Sequence, residues 1–289
     1  MVDEVIAKKT KILIVKLYTL FRNQISDLST EFKISRYDFL LLLSYVLNIS
    51  YSDAFYKEKF LLNEKEYASI IKYANRRSRN EPIAKIINKK EFYGINFKTS
   101  RKTLDPRPET ELIIDLFQKH FLNKDEHLHI LDLGAGTGCI GLTILSLYQN
   151  AIADFADISK SALDITKYNA VNLSLINRCH LIKSNWFSNI SKRYDAIVSN
   201  PPYVSKNYEL DKEVMFDPKI ALFSGIDGLN AYKKIIPHAK NFLTPNGKIF
   251  VEIGYEQKEK ILAINKNLSL IEVEKDLAQI DRVMILGVK

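Results

Sequence analysis

The sequence predicts an α/β protein preceded by a small helical bundle. From about residue 130, short apolar runs alternate with amphipathic stretches, which is typical of the strands and helices of a parallel sheet. One mostly apolar run, residues 130–133, leads into a glycine-rich turn, and a later apolar run, residues 196–198, is followed two residues on by two prolines. Residues 1–80 contain no glycine and show helical periodicity. We therefore expect a helical N-terminal domain (1–80), a hairpin linker (81–104) and a main domain (105–289).

The composition indicates a globular protein with a packed core. Of the 289 residues, 46% are hydrophobic, which argues against intrinsic disorder. The formal net charge is +8. Such a charge suits a nucleic-acid partner, but it also follows from compositional drift towards Lys, Ile and Asn. We favour drift, because only residues 72–79 form a dense basic cluster.

Cysteine and histidine usage excludes some classes of site. The chain has two cysteines, Cys139 and Cys179, too few for a disulfide framework or a Cys-rich zinc site. Its five histidines are scattered, so we expect no metal. Lysines interrupt the apolar residues near the start, and no apolar run approaches the ~20 residues that span a bilayer. We expect a cytoplasmic protein without a membrane partner.

The helical region contains two apolar repeats. Apolar residues recur with helical spacing across residues 5–20 and again across residues 39–47. Asn63 followed by Glu66 predicts a helix start with a capping box. No catalytic motif lies here, so this region either recognises a partner or only caps the main domain. Residues 92–97, which are aromatic and interrupted by Gly94, predict a hairpin.

Residues 130–138 predict a nucleoside-binding turn between a strand and a helix. The turn consists of Gly134, Ala135, Gly136, Thr137 and Gly138. Glycines allow positive φ and a close approach of the backbone to a ligand, and the amino end of the helix offers free N–H groups. The glycines at 136, 138 and 141 also match the dinucleotide fingerprint, but that series begins one turn late. The glycines at 134, 136 and 138 fit a nucleoside without a pyrophosphate.

Polar and aromatic residues follow the next two predicted strands. Asp157 ends the predicted strand 151–156, and a carboxylate there suits both ribose hydroxyls of NAD or S-adenosylmethionine. The alternative is that Asp157 caps the following helix. After the third strand, Asn185 is placed to hydrogen-bond an adenine edge, and Trp186 is able to stack on an adenine ring. The alternative for Trp186 is packing at the surface.

The segment Asn200-Pro201-Pro202-Tyr203 carries the predicted chemistry. Two consecutive prolines cannot donate to a sheet, so Asn200 lies extended at the carboxyl end of a strand, where open α/β sheets bind ligands. The side-chain carbonyl of Asn200 and the main-chain carbonyl of Pro201 are two acceptors suited to one NH2 group. We predict these two residues as catalytic and all four as substrate-binding. The alternative is a loop that only ends a strand.

With these motifs together, the chain resembles the release-factor glutamine methyltransferases over nearly its whole length. The matching segments are Glu91-Phe92-Tyr93-Gly94, Arg107-Pro108-Glu109-Thr110-Glu111, residues 131–138, Asn185-Trp186-Phe187, Asn200-Pro201-Pro202-Tyr203, Asp227-Gly228-Leu229, Glu252-Ile253-Gly254 and Asp281-Arg282-Val283. The Arg-Pro-Glu-Thr-Glu segment is far more particular to this family than Asn-Pro-Pro-Tyr, which adenine amino-methyltransferases share.

This resemblance implies a fold, a cofactor and a reaction. The implied fold is a seven-stranded, Rossmann-like class I methyltransferase sheet with its last strand inserted antiparallel. The implied cofactor is S-adenosyl-L-methionine, held at residues 134–138, Asp157, Asn185, Trp186 and Asn200. The implied substrate is the glutamine of the GGQ motif in class I peptide chain release factors, methylated at side-chain nitrogen N5 by a monomeric enzyme. Asn185 stands where the family usually has Asp, which should weaken the grip on the adenine amino group.

Two rival functions stay open on the sequence. An adenine-N6 methyltransferase acting on DNA or RNA would use the same tetrapeptide, but it predicts a sequence-reading domain, and the helical region is mostly not basic. We therefore expect no direct nucleic-acid substrate. An NAD-binding module predicts a Gly-x-Gly-x-x-Gly series at the first strand and gives no reason for Asn-Pro-Pro-Tyr.

Overall fold

The computed structural model describes residues 18–288. They form two compact units, which divide between Ile87 and Asn88. The first unit contains β1 (Tyr18–Phe21), α1 (Arg22–Glu31), α2 (Arg36–Leu47), α3 (Tyr51–Tyr56), β2 (Lys59–Leu62), α4 (Glu64–Arg77) and α5 (Ile83–Ile87). The capping box predicted at Asn63 is present, since its side chain accepts from Glu66 N at 2.9 Å and Glu66 Oε2 accepts from Asn63 N at 2.7 Å.

One part of the helical prediction for this unit is wrong. Helical spacing was expected across residues 5–20, and residues 5–17 lie outside the described part of the chain. Tyr18–Phe21 is a strand, which pairs antiparallel with Lys59–Leu62. In the second of these strands Phe60 and Leu62 are buried and their neighbours are exposed, which is the period of two that a half-buried strand requires. Pairing with a distant segment therefore overrode the local helical pattern.

The second unit contains the predicted hairpin and the α/β domain. The hairpin consists of β3 (Lys89–Phe92) and β4 (Ile95–Lys98) around a turn at Tyr93 and Gly94, both with positive φ. The other elements are α6 (Leu112–His120), β5 (His129–Leu133), α7 (Cys139–Leu147), β6 (Ile152–Asp157), α8 (Lys160–Asn172), β7 (Cys179–Lys183), β8 (Tyr194–Ser199), α9 (Lys219–Leu222), α10 (Asn230–Ala239), β9 (Leu243–Glu252), α11 (Lys258–Ile264), β10 (Leu268–Lys275) and β11 (Asp281–Val288).

Among residues 18–288, one sheet has seven strands in the order β10-β11-β9-β8-β5-β6-β7. Strands β5 to β9 pair in parallel, and β11 lies antiparallel between β9 and β10. The predicted fold, including the inserted antiparallel strand, is therefore confirmed. The order places the ends of β5 and β8 side by side, so the glycine turn and Asn200 meet at one edge of the sheet.

The core fills both faces of this sheet. Consecutive strand residues alternate between two buried clusters: Ile130 packs in one and Leu131 in the other, and Phe250 and Ile249 divide in the same way. A strand covered on both faces is apolar at most positions, which explains the apolar runs in the sequence. The exceptions in β5 and β6 are the buried carboxylates Asp132 and Asp154. Full burial of each such side chain contributes roughly 1.5–3 kcal/mol. None of the helices within residues 18–288 has the length and apolarity needed to traverse a lipid bilayer.

Candidate active site

The glycine turn after β5 depends on left-handed backbone geometry. Gly134, Gly136 and Gly138 have φ values of 81°, 57° and 76°. The N–H groups of Gly134 and Ala135 both donate to the carbonyl of Ala156, at 2.8 and 3.0 Å, which holds the turn against the end of β6. A side chain at these positions would be strained, because L-residues rarely adopt positive φ.

The last glycines of the series serve packing. Gly138 is the N-cap of α7, and a Cβ there would lie 2.7 Å from Thr166 Cγ2. Gly141 lies within α7, and a Cβ would lie 2.5 Å from the Phe155 ring. Gly141 therefore permits close contact of helix and strand, which accounts for this part of the apparent dinucleotide fingerprint without a pyrophosphate.

Asp157 ends β6 and faces the glycine turn. Its Oδ2 accepts from Gly136 N at 2.9 Å and its Oδ1 accepts from Ser159 N at 2.8 Å. The N-cap of α8 is Ser159, whose hydroxyl accepts from Ala162 N, so the capping alternative for Asp157 is wrong. Burial raises the pKa of Asp157 above its ordinary value. Each carboxylate oxygen can accept a second hydrogen bond, which leaves capacity for a ligand hydroxyl.

Trp186 and Asn185 follow β7 on the same edge of the sheet. Trp186 is half-buried with φ of 54°, and its ring lies 3.5 Å from the position of a Cβ on Gly134. Its backbone carbonyl accepts from the Ser184 hydroxyl at 2.6 Å, which steadies this unusual conformation. Asn185 is exposed. Trp186 thus packs against the glycine turn and also faces the cavity described next.

A cavity of about 390 Å³ brings the predicted cofactor residues together. Its lining includes Gly134, Ala135, Gly136, Thr137, Asp157, Asn185, Trp186, Asn200 and Pro202. Gly138, Pro201 and Tyr203, also predicted as site residues, do not line it. Its chemistry fits an adenosine-type ligand, because the carboxylate of Asp157 lies near the exposed backbone of the glycine turn and the flat ring of Trp186 lies beside them.

Asn200 immediately follows Ser199, the last residue of β8. Its Nδ2 donates to the Thr110 hydroxyl at 2.9 Å. Within the described chain, no protein group donates a hydrogen bond to Asn200 Oδ1 or to the carbonyl of Pro201. Asn200 lines the large cavity and also an adjacent one of about 260 Å³, so it lies where the two meet.

Tyr203 lines the smaller cavity together with Arg107 and Arg282. Its hydroxyl donates to Glu252 Oε1 at 3.2 Å, and its carbonyl accepts from Gln257 Nε2 at 3.0 Å. Burial raises the pKa of the Tyr203 phenol. Arg107 forms an ion pair with Asp217 at 2.6 Å, and this pair holds the long loop after Tyr203 against the segment before α6.

Two buried residues at the site were not predicted as site residues. Thr110 and Glu252 are 2% and 1% exposed, and the Thr110 hydroxyl donates to Glu252 Oε2 at 2.6 Å. Burial raises the pKa of Glu252 to about 7. Both belong to segments that carry the family resemblance, and this resemblance was the one feature of the sequence that could have identified them as site residues. Nothing in their spacing along the chain links them to Asn200.

The structure shows no built metal centre in the part of the chain it describes. Within residues 18–288, no group of three or more His, Cys, Asp or Glu side chains is arranged to hold a metal ion.

The parallel sheet, the glycine turn at its carboxyl edge and the Asn-Pro-Pro-Tyr segment beside it define a class I methyltransferase.

Comparisons with known proteins agree with this class. Residues 100–217 match the family model "Methyltransferase small domain". A methyltransferase structure from Pyrococcus furiosus superposes with a TM-score of 0.50 at 18% identity, covering 77% of this chain and 98% of that one. At that identity the likeness shows the fold alone.

Relatives at higher identity show the family. The release factor glutamine methyltransferase of Agrobacterium fabrum is 38% identical over 255 residues, which cover 86% of this chain and 88% of that protein. The protein of the same name from Coxiella burnetii is 37% identical over 267 residues, covering 91% and 96%. The chain belongs to the release factor glutamine methyltransferase family, as the sequence motifs predicted.

Proposed function

We propose that this chain transfers a methyl group from S-adenosylmethionine to nitrogen N5 of the glutamine in the GGQ motif of class I peptide chain release factors. Family membership supports the substrate. The observation that carries the chemistry is the pair of neighbouring oxygens, Asn200 Oδ1 and the Pro201 carbonyl, which accept no hydrogen bond from the described residues. Two such acceptors match the two hydrogens of one carboxamide NH2.

The residues around the large cavity would hold the cofactor. Asp157 would accept hydrogen bonds from the ribose hydroxyls, Trp186 would stack on the adenine, and Asn185 would form hydrogen bonds with the adenine edge. The glycine turn would let the ligand approach the backbone closely. When bound, S-adenosylmethionine supplies a methyl group on a positively charged sulfur, which keeps the electron pair of the broken C–S bond as the methyl moves to nitrogen.

Asn200 and Pro201 would overcome the low reactivity of the amide nitrogen. An amide lone pair is delocalised into the carbonyl, so the nitrogen is a poor nucleophile. If each oxygen accepts one N–H, the nitrogen is held in place and pushed towards tetrahedral geometry, with its lone pair available for the new C–N bond. Positioning of this kind can supply about 7–11 kcal/mol in favourable cases. Neither oxygen is a strong base, so the amide proton leaves to water.

Transfer of a radiolabelled methyl group tests the proposed reaction. Purified chain is incubated with labelled S-adenosylmethionine and a class I release factor, the same factor with its GGQ glutamine changed to alanine, or RNA. We expect label in the first protein and none in the second. Label in RNA, or equal label in both release factors, would contradict the proposal.

The variant Asn200→Ala tests the acceptor pair. Removing one preorganised hydrogen-bonding group commonly costs about 10²–10³ in kcat, so we expect a loss of about 100-fold. The Kd for S-adenosylmethionine, measured by calorimetry, should change much less. Asn150→Ala is a matched control, because Asn150 is an exposed asparagine that precedes the amino end of β6. Near-normal turnover in Asn200→Ala would show that the acceptor model is wrong.

The same proposal extends to the location, the oligomeric state and the partner recognition of the enzyme. We infer that it acts in the cytoplasm as a monomer, and that the N-terminal unit recognises the release factor. Sedimentation of the full chain measures its oligomeric state, and methyl transfer to a free GGQ peptide, compared with the whole factor, measures recognition beyond the glutamine.

A further inference from the structure

A buried chain of hydrogen bonds reaches Asn200 from the side opposite its unpartnered oxygen. We propose that Thr110 and Glu252 are positioning residues, which fix the side-chain amide of Asn200 with its oxygen available to the substrate. This inference rests on the proposed function for its kinetic consequence, whereas the orientation itself can be measured independently.

The chain of bonds is short and shielded from water. Asn200 Nδ2 donates to Thr110 Oγ1 at 2.9 Å, and Thr110 Oγ1 donates to Glu252 Oε2 at 2.6 Å. The other carboxylate oxygen accepts from Tyr203 OH at 3.2 Å. Thr110 and Glu252 are almost completely buried, so water cannot readily replace either partner. An unmade bond here would leave a buried polar group unsatisfied, which is costly.

The chemistry of these groups dictates the direction of each bond. An ionised carboxylate only accepts hydrogen bonds, so while Glu252 is ionised the single hydroxyl proton of Thr110 must point to it. The Thr110 oxygen can then only accept from its other neighbour. The Asn200 group that faces Thr110 must therefore be the NH2, because a carbonyl oxygen there would meet a lone pair. The carboxylate thus decides, through one hydroxyl, which end of the Asn200 amide is presented to a ligand.

The charge of Glu252 changes with pH near neutrality, because burial outweighs its favourable neighbours. The hydroxyls of Thr110 and Tyr203 and the guanidinium of Arg282 favour its ionised form, and the carboxylate of Glu109 opposes it. Tyr232 donates its hydroxyl to the backbone carbonyl of Glu252 at 2.9 Å and not to the carboxylate. Burial is the largest influence and raises the pKa of Glu252 to about 7. A protonated Glu252 could donate to Thr110, which would free the hydroxyl proton to face Asn200 and permit the opposite amide orientation.

Thr110→Val removes the hydroxyl and keeps the shape of the side chain. Without its acceptor, the Asn200 amide can rotate, and we expect kcat on the release factor to fall about 10-fold, the equivalent of one hydrogen bond. Thr110 also lines the large cavity. The Kd for S-adenosylmethionine should nevertheless stay within about 2-fold, because valine keeps the shape of the side chain there. Thr110→Ser restores the hydroxyl and should recover most of the rate.

Thr143→Val is the matched control for loss of a buried threonine hydroxyl. Thr143 is fully buried, and its hydroxyl has no hydrogen-bond partner in the described structure. Its replacement should leave kcat unchanged and should not lower the thermal midpoint. If Thr110→Val retains the wild-type kcat, or if Thr110→Ser is as slow as Thr110→Val, the positioning role is refuted.

A nuclear magnetic resonance measurement tests the orientation without the reaction. In ¹⁵N-labelled protein, the Asn200 side-chain NH2 is identified as the pair missing from Asn200→Asp. One of its protons should be shifted downfield by the bond to Thr110, and that shift should disappear in Thr110→Val. An unchanged pair would overturn the inference even in an active enzyme. A wild-type chain that does not methylate the release factor would instead refute the proposed function. The orientation of the Asn200 amide would still be decided by the resonance measurement.

Discussion

Replacing Glu252 by glutamine should change how the stability of the protein depends on pH. The carboxylate is 1% exposed, and burial raises its pKa from 4.5 to about 7. The folded state therefore binds this proton more tightly than the unfolded state. Its stabilising contribution is complete below about pH 4.5 and is lost as the pH rises to about 7. One pKa unit is equivalent to about 1.4 kcal/mol, so the loss is about 3 kcal/mol.

Urea unfolding of wild type and Glu252→Gln between pH 4.5 and 8 measures this effect. Glutamine has no proton to lose in this range, so the variant does not lose stability by this route as the pH rises. The free energy of unfolding of the variant, minus that of wild type, should increase by about 3 kcal/mol across the range. Asp132 also has a pKa raised by burial, to about 7, but it is present in both proteins and cancels in the difference. A difference that does not vary with pH would refute the reasoning.

Two further variants test the support of the site and of the sheet. Gly228 has φ of 73°, and a Cβ there would lie 2.4 Å from the Tyr203 carbonyl oxygen. Gly228→Ala should lose at least about 1–2 kcal/mol by thermal unfolding and should also lower methyl transfer, and unchanged values of both would contradict this. Burial by itself would raise the pKa of Asp154. Hydrogen bonds from neighbours including His129 and Lys192 outweigh burial and lower this pKa from 3.8 to about 2. Asp154→Asn should therefore cost about 2 kcal/mol above pH 4, a deficit that disappears as the pH falls to 2; a constant deficit would show that charge is not the cause.

The sequence by itself determined the features that depend on neighbouring residues. Apolar runs marked the strands that are covered on both faces, as at Ile249 and Phe250. Two consecutive prolines marked the end of β8, because they cannot continue a ladder of hydrogen bonds. The glycines at 134, 136 and 138 marked the turn after β5, and the structure shows the positive φ that glycine allows there. Together with the motifs, these local constraints were sufficient for the fold class and the family.

The tertiary structure alone decided which residues complete the site. Thr110 is 90 positions from Asn200 and 142 from Glu252, yet the three side chains form one hydrogen-bonded chain. The strand at Tyr18–Phe21 likewise exists because a segment about 40 residues later pairs with it. Contacts between distant segments leave no periodic pattern in the sequence, because they depend on how the sheet brings strand ends together. The direction of a buried hydrogen bond depends further on the charge of a group at its far end.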